Sequence, residues 1–285
     1  MSTTARVQIA LATTVLMWCS AFVAIRHAAP DYPSGVFMLL RFAIPAIVFI
    51  AWGALRGGLV PPAGDRLRVL LLGGFFIAYI GLLVAGERTV DAGTASMLAE
   101  TSPLLTYVAA ATLLGEGWRF GLGVGLLVSF TGALVIARGS GGGIDGSGGA
   151  LLVLGAAAAQ AAMFIVQKPL LARQSAVRVV SQATIVGAIA TLPFAADVGP
   201  AIDAAPASAT AAVVFVALTT GVISYVTLAY AMARSDSTGG VSSVLYLVPP
   251  GAVAISWLTL GEVPTALTIV GGVLAIAGVA IAQHR

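Results

Sequence analysis

The chain has 285 residues, of which 59% are hydrophobic and 9% are charged, and its formal net charge is +3. An ordinary soluble domain carries about 25% charged residues, so this composition excludes a water-soluble globule, a disordered chain and a nucleic-acid-binding protein. The single cysteine, Cys19, excludes an intrachain disulfide.

A membrane-spanning helix needs about 20 mostly apolar residues. Ten segments meet this requirement, and short stretches rich in Pro, Gly or charge separate them. The predicted spans, in chain order, are residues 7–26, 33–55, 67–86, 93–113, 120–138, 149–168, 177–195, 208–232, 239–259 and 265–283. The first could also be a signal peptide, but it is as long as the others and has no convincing cleavage site. We therefore predict an all-α integral membrane protein.

Arginine and lysine predict the orientation of these spans. If the N-terminus is cytoplasmic, ten of the 14 basic residues fall on the cytoplasmic side, three fall on the opposite side, and Arg41 lies within a span. Cytoplasmic loops of membrane proteins carry an excess of Lys and Arg. Both termini are therefore predicted to be cytoplasmic.

The chain also resembles itself when it is shifted by 146 residues, the distance from Glu116 to Glu262. Other pairs that match in this register are Pro103 with Pro249, Tyr79 with Tyr225, and Arg88 with Arg234. The matches predict two five-helix repeats, residues 1–138 and 149–285, joined by a Gly-rich linker at 139–148. Because five is odd, the second repeat would cross the bilayer in the opposite sense. Inverted repeats of this kind are common among secondary transporters.

Several short motifs add a family resemblance to this pattern. They are the segment Trp18-Cys19-Ser20-Ala21-Phe22-Val23-Ala24-Ile25, the pair Arg41-Phe42, and Pro103 followed by Leu114-Gly115-Glu116. In their order and duplication they resemble the drug/metabolite transporter superfamily of the EamA type, and size and topology are similar to those of YddG-like amino-acid exporters. The resemblance implies a central cavity lined by spans 1–4 and 6–9, with spans 5 and 10 outside.

Polar and aromatic residues recur at helical spacing within the spans. The candidate substrate-binding residues are Trp18 and Phe22 in span 1, Arg41 in span 2, Tyr79 in span 3, Ser96, Glu100 and Tyr107 in span 4, Gln160, Met163 and Gln167 in span 6, Tyr225 in span 8, and Ser242 and Tyr246 in span 9. Aromatic faces with a few hydrogen-bonding groups suit a small amphipathic solute. The alternative is that these residues join helices or lie at the membrane interface.

Arg41 and Glu100 are the charges placed well inside spans. An ionisable group near the bilayer centre costs about 2.5–3.5 kcal/mol on insertion scales. At about 1.5 Å per residue, both lie roughly 10–12 Å from the same outer face. We predict that they pair with each other or engage the carboxylate and ammonium groups of a solute. The alternative is that Arg41 extends towards the interface and Glu100 stays protonated.

Three prolines and two matched glutamates also have predicted roles. Pro103, Pro249 and Pro250 remove backbone donors within spans, so they are candidate hinges, candidate sources of free carbonyl groups, or simple kinks. Glu116 and Glu262 stand at span ends, where we expect each to accept hydrogen bonds from backbone donors of the next helix.

The resulting prediction is a secondary transporter in the inner (plasma) membrane that exports amino acids or related small amphipathic metabolites by alternating access. Its partners would be a small-molecule solute and the lipid bilayer, with no cofactor, metal ion or catalytic residue, and the protein would be a monomer or weak homodimer. Nucleosides, sugars and cationic drugs remain alternative solutes. A membrane-embedded enzyme is less favoured because no predicted span contains His or Asp, and a scaffold would not explain the duplication. Proton coupling and uniport both stay open.

Overall fold

The structure of the protein is a computed structural model that describes residues 2–86, 98–139, 148–260 and 263–284. For residues 22, 23, 26, 256, 259 and 260 it describes the backbone alone. The α-helices of these ranges are α1 (Thr3–Ala28), α2 (Ser34–Arg56), α3 (Arg66–Gly86), α4 (Ser102–Leu113), α5 (Phe120–Gly139), α6 (Gly148–Leu171), α7 (Ala176–Thr191), α8 (Val198–Ala204), α9 (Ala207–Leu218), α10 (Tyr225–Ala233), α11 (Thr238–Ser242), α12 (Val248–Leu260) and α13 (Ala266–Gln283). The described residues contain no strand, which agrees with the predicted all-α class.

Eight helical segments among the described residues are long and apolar enough to cross a membrane. They correspond to the second, third and fifth to tenth predicted spans. The first predicted span lies within the 26-residue helix α1, and part of the fourth falls outside the described residues. Apolar side chains in the middle of these helices face outward: Ile47 is 66% exposed, Leu127 58% and Val273 62%. Such exposure is expected of helices that contact lipid.

The chain forms two compact units, and each takes helices from both predicted repeats. The first unit combines Met1–Ile77 with Val166–Arg234, and the second combines Ala78–Ile165 with Ser235–Arg285. In the first unit, α2 packs against α7 and α9, and α1 packs against α9 and α10.

The second unit contains a pair of helices in very close contact, α5 and α13. A Cβ atom added at Gly125 would lie 2.6 Å from the carbonyl oxygen of Gly278, and one added at Gly271 would lie 2.7 Å from that of Gly132. These two contacts are related by the same 146-residue shift that matches the two halves of the sequence. Small residues let helix backbones approach closely enough for extensive van der Waals contact.

Two helix interruptions occur in the second unit at positions matched by the same shift. The fourth predicted span has a turn at Glu100 and Thr101 before α4 begins. The ninth changes from α11 to a 3-10 segment at Ser243–Leu247 before α12 begins. Pro103 and Pro249 therefore stand in the first turn of a helix, where a missing N–H group removes no helical hydrogen bond.

Pro250 follows Pro249 in the same first turn of α12. The carbonyl oxygen of Gly240, just before this interruption, accepts hydrogen bonds from Ser243 Oγ at 2.8 Å and from Gln283 Nε2 at 2.6 Å. Side chains thus satisfy this backbone acceptor where the regular helix ends. The proposed hinge role of the three prolines stays a prediction.

Glu116 caps a helix that is distant in the chain. Its Oε2 accepts a hydrogen bond from the backbone N of Thr238 at 2.6 Å, and its Oε1 accepts one from the Thr238 hydroxyl. An acceptor at this position stabilises the unpaired donors at the start of α11. The expected type of contact is present, but the helix it caps is that of the ninth predicted span rather than the fifth. Glu262 lies outside the described residues.

Candidate functional site

A row of aromatic side chains crosses the first unit and draws on four helices. Trp18 of α1 contacts Tyr225 of α10 edge-to-face, with ring centroids 5.7 Å apart. Tyr225 contacts Phe76 of α3 at 4.6 Å, and Phe76 contacts Phe42 of α2 at 4.9 Å. Edge-to-face pairs at these separations are favourable beyond the apolar area they bury. Two of the candidate residues, Trp18 and Tyr225, are therefore in direct contact.

Hydrogen bonds one turn from the Trp18–Tyr225 contact hold α1 against α10. The hydroxyl groups of Thr14 and Thr227 are 2.7 Å apart, and Thr14 is fully buried. Tyr225 follows a π-helical segment at Thr219–Ser224, in which Ser224 Oγ donates to the carbonyl oxygen of Thr219 at 3.0 Å. A π-helical turn shifts the side chains that follow it, and such turns are frequent at functional sites.

Arg41 places a positive charge beside this aromatic row. Its guanidinium group lies close enough to the Tyr225 side chain to act on it electrostatically. Pro45, within α2, has no N–H group to donate to the carbonyl of Arg41 one turn earlier. A Cβ atom added at Gly221 of the π-helical segment would lie 2.4 Å from Pro45 Cγ, so the two elements meet closely here.

Trp18 has a polar group that could bind a ligand, whereas Phe42 is enclosed by other side chains. The Phe42 ring is fully enclosed, because it is 1% exposed and lies against Gly187 of α7. The indole Nε1 of Trp18 is buried and has no hydrogen-bond partner among the described residues. A buried donor without a partner costs free energy unless a water molecule or ligand accepts its proton.

A second group of polar side chains lies at the matched interruptions of the second unit. Glu100 and Tyr246 occupy equivalent positions of the two predicted repeats, and the Glu100 carboxyl group lies close enough to Tyr246 to act on it electrostatically. The Tyr246 hydroxyl and the Ser102 hydroxyl are both buried without a hydrogen-bond partner among the described residues. An acidic group and two uncommitted hydroxyl groups beside interrupted helices could bind an ammonium group or another cation.

Two further candidate residues in this unit already hydrogen-bond to the backbone. Tyr107 Oη lies 3.0 Å from both the backbone N and the carbonyl oxygen of Arg119, and its ring contacts Trp118. Ser242 Oγ donates to the carbonyl oxygen of Gly239 at 3.0 Å. Both contacts stabilise local structure, which is the alternative interpretation of polar residues within spans.

The remaining candidates are buried on α6, half-buried on α3, or not described. Gln160, Met163 and Gln167 of α6 are 5%, 2% and 6% exposed, respectively. Tyr79 is half-buried on α3. Ser96 and the side chain of Phe22 lie outside what the structure describes. Arg41 belongs to the first unit and Glu100 to the second, and their predicted pairing stays a prediction.

The aromatic row includes two residues that are not among the predicted binding residues. Phe42 belongs to the Arg41-Phe42 motif, but Phe76 has no distinguishing sequence signal, because it follows Phe75 in a continuous apolar run. Pro45 offered a clear signal, since a proline four residues after an arginine within a span frees that arginine's carbonyl group.

The EamA-like transporter family model matches residues 6–138 and 147–282 of the chain. A curated relative from Streptantibioticus cattleyicolor, named a probable terminal-alkyne amino-acid exporter, is 38% identical over 97% of this chain and 93% of its own length. The uncharacterized transporter YdfC of Bacillus subtilis is 32% identical over 97% of this chain and 90% of its own length.

The fold also resembles solved structures. One crystal structure superposes with a TM-score of 0.81 at 21% sequence identity, covering 99% of this chain and 97% of the other. At that identity the likeness concerns the fold alone. Uncharacterized inner membrane transporter YedA of Escherichia coli strain K12 is 30% identical over 51% of this chain and 47% of its own length.

Proposed function

Because the chain belongs to the EamA-like transporter family, we propose that this multi-pass protein of the inner (plasma) membrane exports amino acids or related small amphipathic metabolites by alternating access. Transport itself follows from the family. The solute class and the direction are the proposal, and the name of the Streptantibioticus cattleyicolor relative supports both.

The observation that carries the solute assignment is the aromatic row with Arg41 at Tyr225. An amino acid has a carboxylate and a partly apolar side chain, and a guanidinium group beside aromatic faces suits both. The unpartnered Trp18 Nε1 adds a donor for a carboxylate oxygen.

The sequence-based hypothesis that Glu100 engages the ammonium group of the solute is kept here as a proposal. The carboxyl group of Glu100 and the uncommitted hydroxyl of Tyr246 provide acceptors for a cationic donor. Interrupted helices are the usual place for solute and ion sites in secondary transporters, because irregular backbone is tolerated only where it is protected from lipid.

Alternating access rests on the proposed inverted repeat. The matched interruptions and the reciprocal glycine contacts of α5 and α13 both follow the 146-residue shift. Two similar halves can exchange conformations, so that a solute site opens first to one side of the membrane and then to the other. Ten spans with both termini in the cytoplasm complete this proposal.

Flux into proteoliposomes, measured with labelled amino acids and challenged by unlabelled competitors, tests the assignment. Wild-type protein should show saturable amino-acid flux, with little competition from nucleosides or sugars. Losing one charge-assisted hydrogen bond costs about 1.5–3 kcal/mol, so Arg41→Gln and Glu100→Gln should each raise the KM about 10- to 100-fold.

Analogue competition distinguishes the two roles. Arg41→Gln should weaken competition by an amino acid much more than competition by the corresponding amine, which lacks the carboxylate. Glu100→Gln should instead weaken competition by the amino acid more than competition by the corresponding carboxylic acid, which lacks the ammonium group. Tyr225→Phe should also raise the KM for the amino acid. Tyr230→Phe is its matched control, because Tyr230 lies on the same helix and its ring centroid is 3.7 Å from the Arg234 guanidinium. Equal effects on all analogues would contradict the assignment, and selective nucleoside or cationic-drug flux would replace it.

A further inference from the structure

A groove in the first unit lies where α2 ends and α7 begins, away from the aromatic row. It has a volume of about 300 Å³ and is lined by Trp52, Arg56, Ser175 and Arg178. Trp52 and Arg56 are one helical turn apart on α2 and share a face. The groove lies at the end of the candidate span Ser34–Arg56 and at the start of the candidate span Ala176–Ala204. The ends of membrane spans are where lipid head groups meet a membrane protein.

The two arginines of the groove have no acidic partner within the described residues, because neither Arg56 nor Arg178 forms an ion pair there. The nearby buried carboxylate of Asp65 accepts hydrogen bonds from Arg173 Nη1 at 2.8 Å and from Gln174 Nε2 at 3.0 Å, so it is already committed. The positive charge of the groove is therefore available to an external anion.

Other groups in the groove favour the same kind of ligand. Ser175 is the N-cap residue of α7, yet its side chain makes no capping hydrogen bond, and the first turn of α7 contains no acidic residue. Its hydroxyl and the first backbone N–H groups of α7 are thus additional donors. The Arg178 side chain packs against the α2–α3 loop, because a Cβ atom added at Gly58 of that loop would lie 2.2 Å from Arg178 Nε.

We propose that this groove binds the phosphate group of an anionic phospholipid. Two guanidinium groups, a hydroxyl and a helix start are complementary to phosphate oxygens. Trp52 provides the aromatic face that is typical of the membrane interface and can contact the glycerol and upper acyl region. Soluble phosphate shares the same oxygen chemistry, but it would make no use of Trp52 or of the position at the ends of two spans. This site is independent of the proposed solute site.

Native mass spectrometry of the full-length protein in detergent, titrated with phosphatidylglycerol or phosphatidylcholine, measures this binding directly. Wild type should bind phosphatidylglycerol more tightly. Each basic residue near an anionic membrane contributes appreciably, so Arg56→Gln combined with Arg178→Gln should weaken phosphatidylglycerol binding about tenfold or more and leave phosphatidylcholine unchanged. A matched double variant, Arg68→Gln with Arg234→Gln, removes the same net charge and should change the affinity less than about twofold.

Two results would overturn the proposal. One is an equal loss of phosphatidylglycerol binding in both double variants, which would indicate a general effect of net charge. The other is thermal stabilisation of the lipid-free protein by millimolar inorganic phosphate, dependent on Arg56 and Arg178, without any preference between the two lipids. That outcome would assign the groove to a soluble phosphate anion. Because the readout is binding, loss of amino-acid flux in any variant does not affect the result.

Discussion

The close contact of α5 with α13 predicts a specific cost for Gly278→Ala. A Cβ atom at this position would lie 2.3 Å from both the backbone N and the Oγ of Ser129, and 2.6 Å from the carbonyl oxygen of Gly125. Two of these three atoms belong to the backbone of α5, so a rotamer change cannot relieve the contact. The substitution also crowds the hydrogen bond from Ser129 Oγ to the carbonyl oxygen of Ala275, which is 3.1 Å long.

The size of the effect follows from the distances. Ordinary van der Waals contact for a Cβ atom begins near 3.4 Å, so α5 and α13 must separate locally by about 1 Å. Overpacking of this kind costs about 1–3 kcal/mol. Replacing glycine with alanine within a helix recovers up to about 1 kcal/mol. We expect Gly278→Ala to lower the free energy of unfolding by about 1–2 kcal/mol.

Gly272→Ala, on the same helix, is the matched control, because its Cβ atom would lie 3.5 Å from Pro250 Cβ, an ordinary contact. The two variants are compared by thermal unfolding in detergent, with size-exclusion chromatography measuring the folded protein that remains after heating. For a chain of this size, each kcal/mol shifts Tm by about 2–4 °C. Gly278→Ala should therefore fall several degrees below wild type, and Gly272→Ala should equal or exceed it. Equal Tm values for the two variants would refute the backbone contact described for α5 and α13.

Two further changes probe the first unit and the cap of α11. Gly187→Ala would place a Cβ atom 2.4 Å from the buried ring of Phe42. The substitution should displace that ring and lower amino-acid flux severalfold. Gly74→Ala is the control and should leave flux unchanged, because its Cβ atom would meet nothing within 4 Å. Unchanged flux in Gly187→Ala would separate the aromatic row from transport. Glu116→Gln removes the charge that accepts from Thr238 and should lower the free energy of unfolding by about 1–2 kcal/mol, measured by the same thermal assay; an unchanged Tm would show that the cap contributes little.

Much of the architecture was predictable from local composition. Long apolar segments must be helical in a bilayer, because every backbone N–H and C=O group has to be paired within the segment. The eight described spans accordingly coincide with predicted ones to within a few residues, except that the seventh predicted span continues through a 3-10 segment into α8. The family resemblance drawn from short motifs is confirmed, as is the membrane location. Duplication, orientation and the repeat boundaries stay predictions.

The prolines show how far a local pattern reaches. Pro103 and Pro249 predicted disturbed helices in the fourth and ninth spans, and the structure has an interruption just before each. The pattern did not reveal whether a proline kinks a continuous helix or begins a new one. That depends on partners such as Gln283, which satisfies a carbonyl group near the break of the ninth span from a different helix.

Only the tertiary structure decided which side chains meet. Trp18, Phe76 and Tyr225 are far apart in the chain and come together through the packing of α1, α3 and α10. Contacts between apolar helices are short-range and depend on shape, so hydropathy and spacing identify a helix face but not its partner. For the same reason the sequence predicted that Glu116 would cap a helix and only the folded chain determined which one.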